Sequence, residues 1–441
     1  MNSNKTSSNY FSIYTVSVLN IFLITYVCDR ILKRKVENMK QERIFPRFVV
    51  TKKQEKNIKK GHPWIYADEI VESSEINENG CVVDVFGGKN NYLGSGFYSE
   101  TSKIRIRLLG NNANEKYDDA FFQRKVKYAL EYRYIVMQED IKACRLIHGE
   151  SDGLPGLTVD RYNNILVTQV ESVGTEKNKD VIYQALLDEL ENHGEVIDGI
   201  YERNEGELRK KEGLKQYKGW YGEKHPSSCI TEIVENGIKY EVDVENGQKT
   251  GFFLDQKYNR RQVARLAKGM RVLDCCTHTG SFALNAAKGG AASVLAMDIS
   301  ESALEMAQKN AERNGLNLSF RQADVFEILP ALKKEHAQFD FIVLDPPAFT
   351  KSRKTFHNAR KGYQEINTEA MRLLPRGGYL ASASCSHFMP KDEFRKMLCD
   401  AANEAGVSIR LIEERGAAPD HPVNPCIPET EYLKFFLLQI I

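Results

Sequence analysis

Two short segments carry the groups best suited to covalent chemistry. Asp340-Phe341-Ile342-Val343-Leu344-Asp345-Pro346-Pro347-Ala348-Phe349 is an apolar run ending in a carboxylate and a stiff Pro-Pro step, and Ser384-Cys385-Ser386 closes a later apolar run with a thiol. Read as buried strands, they deliver Asp345 and Cys385 to their carboxyl ends. In an open parallel sheet such ends face one crevice, where ligands bind. A thiolate there can form a covalent adduct and divide one hard step into two easier ones. A carboxylate beside it can hydrogen-bond a substrate edge and stabilise the addition product. A free cysteine at a strand end is commonly just a small buried residue, so the surrounding sequence has to supply the rest of a site.

It supplies three more aspartates in order. Asp274-Cys275-Cys276-Thr277-His278-Thr279-Gly280-Ser281-Phe282 reads as the first strand-to-helix turn. It offers the Asp274 carboxylate, Gly280 for close backbone approach, and Thr279 with the free amides of a helix start. Asp298 ends the next apolar run, where a Rossmann-like sheet holds a ribose diol. Asp324 ends the third turn and is placed to accept from an adenine amino group. Each alone is an ordinary helix cap; together they describe a nucleoside pocket, with Asp345 and Pro346 at its edge. No Gly-x-Gly-x-x-Gly opens the turn, so a pyrophosphate dinucleotide is disfavoured. S-adenosyl-L-methionine, an adenosine without phosphate, fits.

These groups predict a methyltransferase that attacks a base through Cys385. Carbon 5 of cytosine is a poor nucleophile, and thiolate addition at carbon 6 moves electron density onto it. Cys275 and Cys276 read as packing residues of the turn. An exocyclic-amine methyltransferase is one alternative, because Asp-Pro-Pro before an aromatic can hold an amino group; here Ala348 intervenes before Phe349, and Cys385 is left without a role. A non-catalytic RNA-binding protein is the other.

Lys351, Arg353, Lys354, Arg360 and Lys361, with His357, follow Pro347 without an acid until Glu365. Beside an active site, such a loop reads as a clamp on RNA phosphates, the target base leaving its stack to react. A second basic run, Lys52, Lys53, Lys56, Lys59 and Lys60, precedes Gly61-His62-Pro63-Trp64-Ile65-Tyr66. Lysine runs are more often solvated faces, but Trp64 and Tyr66 add the stacking surface with which RNA is met. The net charge is only +1, so any nucleic-acid surface must be local.

The elements that position these groups change character along the chain. Residues 44–110 hold short alternating runs broken by Gly87-Gly88 and Asn90-Asn91, the pattern of a small, mostly antiparallel β domain. A periodic helix is predicted over 118–140, then strands over 165–170 and 197–201 around a helix near 176–192, and a strand over 238–244. Beyond residue 260, strands at 271–274, 294–298 and 341–345 alternate with helices over 281–288, 302–314 and 363–374, so that sheet should be largely parallel and doubly wound.

With these motifs in place, residues 44–441 resemble the bacterial 23S ribosomal RNA cytosine-5 methyltransferase family, large-subunit methyltransferase I. Gly61-His62-Pro63-Trp64-Ile65-Tyr66 resembles that family's PUA opening. Gly251-Phe252-Phe253-Leu254-Asp255-Gln256 with Asn259-Arg260 is similar to the segment that packs near its cofactor. The 274–282 turn, Asp345-Pro346-Pro347, Gly362-Tyr363, Ser384-Cys385-Ser386 and Asp420-His421-Pro422-Val423 match in order. The resemblance implies an α/β chain: a PUA-like RNA-binding domain over 44–115, a small α/β middle domain over 116–230, and a doubly wound class I (Rossmann-like) methyltransferase domain over 231–441. It implies S-adenosyl-L-methionine as cofactor, 23S ribosomal RNA as partner, and Cys385 with Asp345 as the catalytic pair.

The remaining expectations are bulk ones. At 441 residues, with 42% hydrophobic and 27% charged, the chain should be globular and multidomain. Nine cysteines without paired CxxC spacing argue against a disulfide framework or zinc ribbon; Cys144 and His148 lack partners for a metal, and none is expected. Reduced thiols suit the cytoplasm. Residues 10–28 form an apolar run of about 19 residues, near the minimum for a membrane span, with Arg30, Lys33, Arg34 and Lys35 after it, which would keep the remainder cytoplasmic. The preferred reading is that translation starts at Met39 and that 1–43 is an extension; the alternative is an anchor. A homodimer is compatible with the sequence, which leaves oligomeric state open.

Overall fold

The computed structural model describes residues 43–350 and 352–441; the apolar run at 10–28 and Met39 lie outside them. Residues 46–111 and 117–441 form one compact unit, and 43–45 and 112–116 fall outside it. No described helix is long and apolar enough to cross a membrane.

The first sheet contains β1 (Arg47–Val50), β2 (Trp64–Tyr66), β3 (Ile70–Ser73), β4 (Val82–Phe86), β5 (Tyr92–Tyr98) and β6 (Ile104–Gly110), in the order β2-β6-β5-β4-β1-β3. It is antiparallel except for the β1–β4 pair. The basic run after β1 is a helix, Lys52–Lys59, capped by Thr51, whose side chain accepts from Gln54 N. Gln54 is buried and Ile58 packs on the core, so the lysines are turned outward by the helical period.

The second sheet, β7 (Ala143–His148), β8 (Leu157–Tyr162), β9 (Ile165–Val170), β10 (Gly199–Asn204) and β11 (Tyr217–Tyr221), runs β11-β10-β9-β8-β7. The helix Lys179–Asn192 makes the crossover that lets β9 and β10 lie parallel. A hairpin, β12 (Ile230–Glu235) and β13 (Ile238–Asp243), follows. Its Ile233, Ile238, Tyr240 and Val242 share one core with Tyr162 and Val167 of the second sheet and with Leu284 and Ala311 on the helices Ser281–Lys288 and Glu301–Arg313.

The third sheet holds β14 (Arg271–Cys275), β15 (Ser293–Asp298), β16 (Ser319–Gln322), β17 (Phe341–Leu344), β18 (Tyr379–Ser384), β19 (Ile409–Arg415) and β20 (Lys434–Ile440), in the order β16-β15-β14-β17-β18-β20-β19. β14 to β18 pair in parallel, and β20 inserts antiparallel between β18 and β19. Successive residues feed opposite layers: Val272, Phe341 and Val343 face one core, Leu273, Ile342 and Leu344 the other. Strands buried on both faces read as the unbroken apolar runs seen in the sequence. Chain order reverses between β14 and β17, which opens a crevice at their carboxyl ends. At their opposite ends Arg271 grips Asp340, Nη2 to Oδ1 at 2.7 Å.

The helix anticipated over 363–374 begins earlier, as Phe356–Leu373. Phe356, Ala359, Tyr363 and Ile366 recur at helical spacing and face the core. Arg360 and Lys361 therefore stand on a helix, not in the loop expected of them.

Candidate active site

A cavity of about 350 Å³ lies at the β14–β17 switch point. Of the residues singled out from the sequence, Asp298, Asp324, Asp345, Pro346 and Cys385 line it together. Asp298 ends β15; its Oδ2 accepts from His278 N at 2.8 Å and its Oδ1 from Ser300 N at 3.0 Å. Asp324 caps the helix Val325–Lys334, accepting from Phe326 N at 2.8 Å. Each carboxylate oxygen has more than one lone pair, so both residues keep acceptor capacity toward the cavity. Met297, Ile299, Val325 and Phe326 make the wall between them apolar. An apolar base carrying an amino group, joined to a ribose diol, fits this combination, and the residues therefore suit the adenosine of S-adenosyl-L-methionine.

Asp274, Thr279 and Gly280 do not line the cavity. Asp274 lies fully buried under the turn, where Oδ2 accepts from Thr277 Oγ1 and from Ala283 N at 2.9 Å, tying strand, turn and helix together. Burial pushes its carboxyl up to about 7. Thr279 turns its carbonyl to Asn310 Nδ2 at 3.2 Å. Gly280 has φ +85°, and a Cβ there would sit 3.0 Å from Ala307 Cβ, so a side chain is excluded by both backbone and the neighbouring helix.

Cys385 follows β18 in a turn built by its neighbours. Ser384 Oγ donates to Tyr363 Oη at 3.0 Å, and Ser386 Oγ donates to the Thr350 carbonyl at 2.8 Å. The serines thus hold the turn, leaving the thiol to the cavity. Asp345 accepts from Gln256 Nε2 at 3.0 Å. Burial, then the nearby Asp255, pushes the Asp345 carboxyl up to about 6. Burial, then Asp345, pushes the Cys385 thiol up, opposed by Lys249 and Lys434.

The far wall comes from outside the parallel sheet. Lys249, Phe253, Asp255, Gln256, Arg260 and Leu433 contribute. Lys249 Nζ donates to Asp255 Oδ2 at 2.8 Å and stands 4.5 Å from the Phe253 ring centre. Burial disfavours a charged Asp255, yet Lys249 and His421 hold its carboxyl well below the usual range. Arg260 is buried against Glu235, at 2.7 and 2.9 Å, and donates to the Phe253 carbonyl at 2.6 Å. Sequence reasoning reached 251–256 and Arg260 through family resemblance and missed Lys249 and Lys434. Neither stands in a periodic pattern that would reveal it.

The basic groups divide. Lys354 and Lys361 are exposed. Arg360 is engaged within its own helix layer, by Gln364 at 3.0 Å and by Asp400. Lys351 and the side chain of Arg353 lie outside the described residues. Trp64 belongs to the first sheet, donates Nε1 to Glu150 at 2.9 Å and lies under Arg107 at 5.6 Å. Among the described residues no group of His, Cys, Asp and Glu could hold a metal ion.

A sheet of this order, with a crevice lined by Asp298, Asp324 and Asp345 at its switch point, is that of an S-adenosyl-L-methionine-dependent methyltransferase. Family models agree: residues 220–435 match S-adenosylmethionine-dependent methyltransferase, and residues 48–111 match PUA-like domain. The chain is 40% identical over 392 residues to ribosomal RNA large subunit methyltransferase I of Pseudoalteromonas atlantica, covering 88% of this chain and 98% of that one. It is 38% identical over 403 residues to the protein of the same name in Klebsiella pneumoniae, covering 90% and 99%. The chain belongs to the ribosomal RNA large subunit methyltransferase I family. Among solved structures, a protein from Streptococcus mutans assigned to the SAM-dependent methyltransferases shares the fold, with TM-score 0.74, 22% identity, and 89% and 99% of the two chains covered. A second, SMU.776 complexed with SAH, has TM-score 0.75 at 21% identity, with the same coverage.

Proposed function

We propose that this chain methylates carbon 5 of a cytosine in 23S ribosomal RNA, in the cytoplasm, through a covalent adduct on Cys385. The observation that carries the reading is that Cys385 and Asp345 open onto the same cavity as Asp298 and Asp324. In this reading Asp298 holds the ribose diol, Asp324 the adenine amino group, and the turn braced by Asp274, Thr279 and Gly280 keeps both in place. When bound, S-adenosyl-L-methionine supplies a methyl group on a positively charged sulfur.

The Cys385 thiolate bonds to carbon 6 of the flipped base; the 5,6 double bond opens and its electron pair becomes available at carbon 5. Asp345, whose carboxyl burial pushes up to about 6, donates to the base edge in its protonated form and stabilises that addition product. Once carbon 5 has gained its methyl, loss of its proton restores the double bond and expels Cys385 as thiolate. Lys354 and Lys361, with the run after Pro347 and Trp64 in the PUA-like domain, supply contacts to the RNA. The domain limits proposed are 44–115, 116–230 and 231–441.

Mapping 5-methylcytosine in 23S ribosomal RNA from cells with and without the protein tests the product. One position should lose its methyl group when the protein is absent; an unchanged map rejects the cytosine reading. Cys385→Ala should abolish methylation while leaving S-adenosylhomocysteine binding intact. Full activity in that variant would point to an exocyclic amine as acceptor.

A further inference from the structure

Lys434 opens β20 and is the cross-strand partner of Ser384, the residue before Cys385. Its side chain is 3% exposed, and its Nζ donates to the Ser386 carbonyl at 2.5 Å and the Tyr432 carbonyl at 2.7 Å. The ammonium is thus drawn beneath the turn that carries the thiol, bonded to the residue just past it. Among the described residues it makes no ion pair with a carboxylate. A buried cation satisfied only by neutral carbonyls is costly, and an ammonium has three donors, of which two are used here. A counterion that forms only when the enzyme needs its nucleophile would resolve the cost.

We propose that Lys434 is a positioning residue whose ammonium stabilises the Cys385 thiolate as it forms, against the burial and the carboxylates that disfavour it. This rests on reading Cys385 as the nucleophile. Lys434 does not line the cavity, whereas its neighbour Leu433 does, so it acts through the sulfur and not on the substrate. The thiol proton leaves to water, and Lys434 keeps all of its own.

The other charges around Cys385 either oppose the thiolate or are already paired. Asp345 and Asp255 oppose the thiolate. Lys249 favours it but is ion-paired to Asp255 at 2.8 Å. Glu431, near Lys434, helps keep the ammonium charged, as Cys385 does. Burial lowers Lys434 to about 8, which leaves it protonated at neutral pH. A nearby cation lowers a thiol's pKa and so raises the share of reactive thiolate.

The test uses the full chain without RNA. Iodoacetamide labelling of Cys385, followed on its peptide by mass spectrometry, is measured against pH. Lys434→Met should make labelling near pH 7, where Lys434 carries its charge, about tenfold slower. Lys434→Gln, which keeps hydrogen bonds to the carbonyls, should do the same with less disturbance, and Lys434→Arg should stay close to wild type. S-adenosylhomocysteine binding by calorimetry reports that each variant is folded. An unchanged labelling rate near pH 7 in both neutral variants overturns the proposal, as does an equal slowing in the arginine variant. Methylation by Cys385→Ala is scored separately: activity there would reject Cys385 as nucleophile and leave the labelling result standing.

Discussion

Replacing Asp345 by asparagine keeps the side chain's shape and its acceptor for Gln256 Nε2 while removing the ionisable group. The carboxyl rises from an ordinary 3.8 to about 6 in the folded protein, mainly through burial and then through Asp255. At 1.36 kcal/mol per pH unit this is about 3 kcal/mol, and access to the open cavity reduces it to about 1–3 kcal/mol. The sign follows from proton linkage. Between pH 4 and 6 the folded chain retains a proton that the unfolded chain has released, so wild-type stability falls as pH rises through that window and the penalty persists above it. Asp345→Asn escapes the penalty. It should match wild type below pH 4 and be more stable by that amount above pH 6, while losing methylation. Chemical denaturation of both proteins across pH 4–8 measures the difference. If the variant is no more stable at pH 8, or if the gap does not change with pH, the carboxyl is not held against its own ionisation.

Other consequences concern the walls of the cavity. Asp298→Ala should weaken S-adenosylhomocysteine binding about 10- to 100-fold by calorimetry, the scale of about 1.5–3 kcal/mol lost with a charged acceptor; Asp298→Asn, which keeps one acceptor, should lose less. Arg260→Leu leaves the fully buried Glu235 without its partner and should destabilise the fold by about 3–5 kcal/mol in denaturant titration. The double variant with Glu235→Leu should recover much of that loss, and failure to recover would mean that Arg260 matters for its bond to Phe253 instead.

The parallel sheet was legible because buried strands write themselves as apolar runs, and because aspartates at their ends stand out against those runs. Asp298 and Asp345 were found that way, and Asp324 as the end of the third turn. Asp274 belongs to the same sequence pattern, yet the structure puts it under the turn. Sequence order tells which strand end a carboxylate closes, but not whether it points to the crevice or into the backbone beneath. The basic stretch after Pro347 was read as a loop because charge dominates its composition. The apolar spacing from Phe356 through Ile366 wins, since a helix there buries Tyr363 at the heart of one core layer. Lys249 and Lys434 were illegible for another reason: they reach the site from the connection after β13 and from the last strand, and only the folded topology brings those segments to Cys385.

That topology also separates three thiols that composition treats alike. Cys275, Cys276 and Cys385 all border the cavity. Cys275 is buried, and only Cys276 and Asp274 act on it, both raising its pKa further. Cys276 is surrounded by carboxylates: after burial, Asp298, Asp345, Asp274 and Asp324 each oppose its ionisation. The acids that suit a ribose and an adenine therefore silence the sulfur nearest to them. Cys385 lies one strand beyond β17, where burial and then Asp345 still push its thiol up but, unlike the other two, it has Lys249 and Lys434 acting in its favour. On the proposed reading a cofactor pocket needs acceptors and a thiolate needs cations, and the cleft offers the two on opposite sides of β17. Asp345, on the strand between them, is the group that both sides feel.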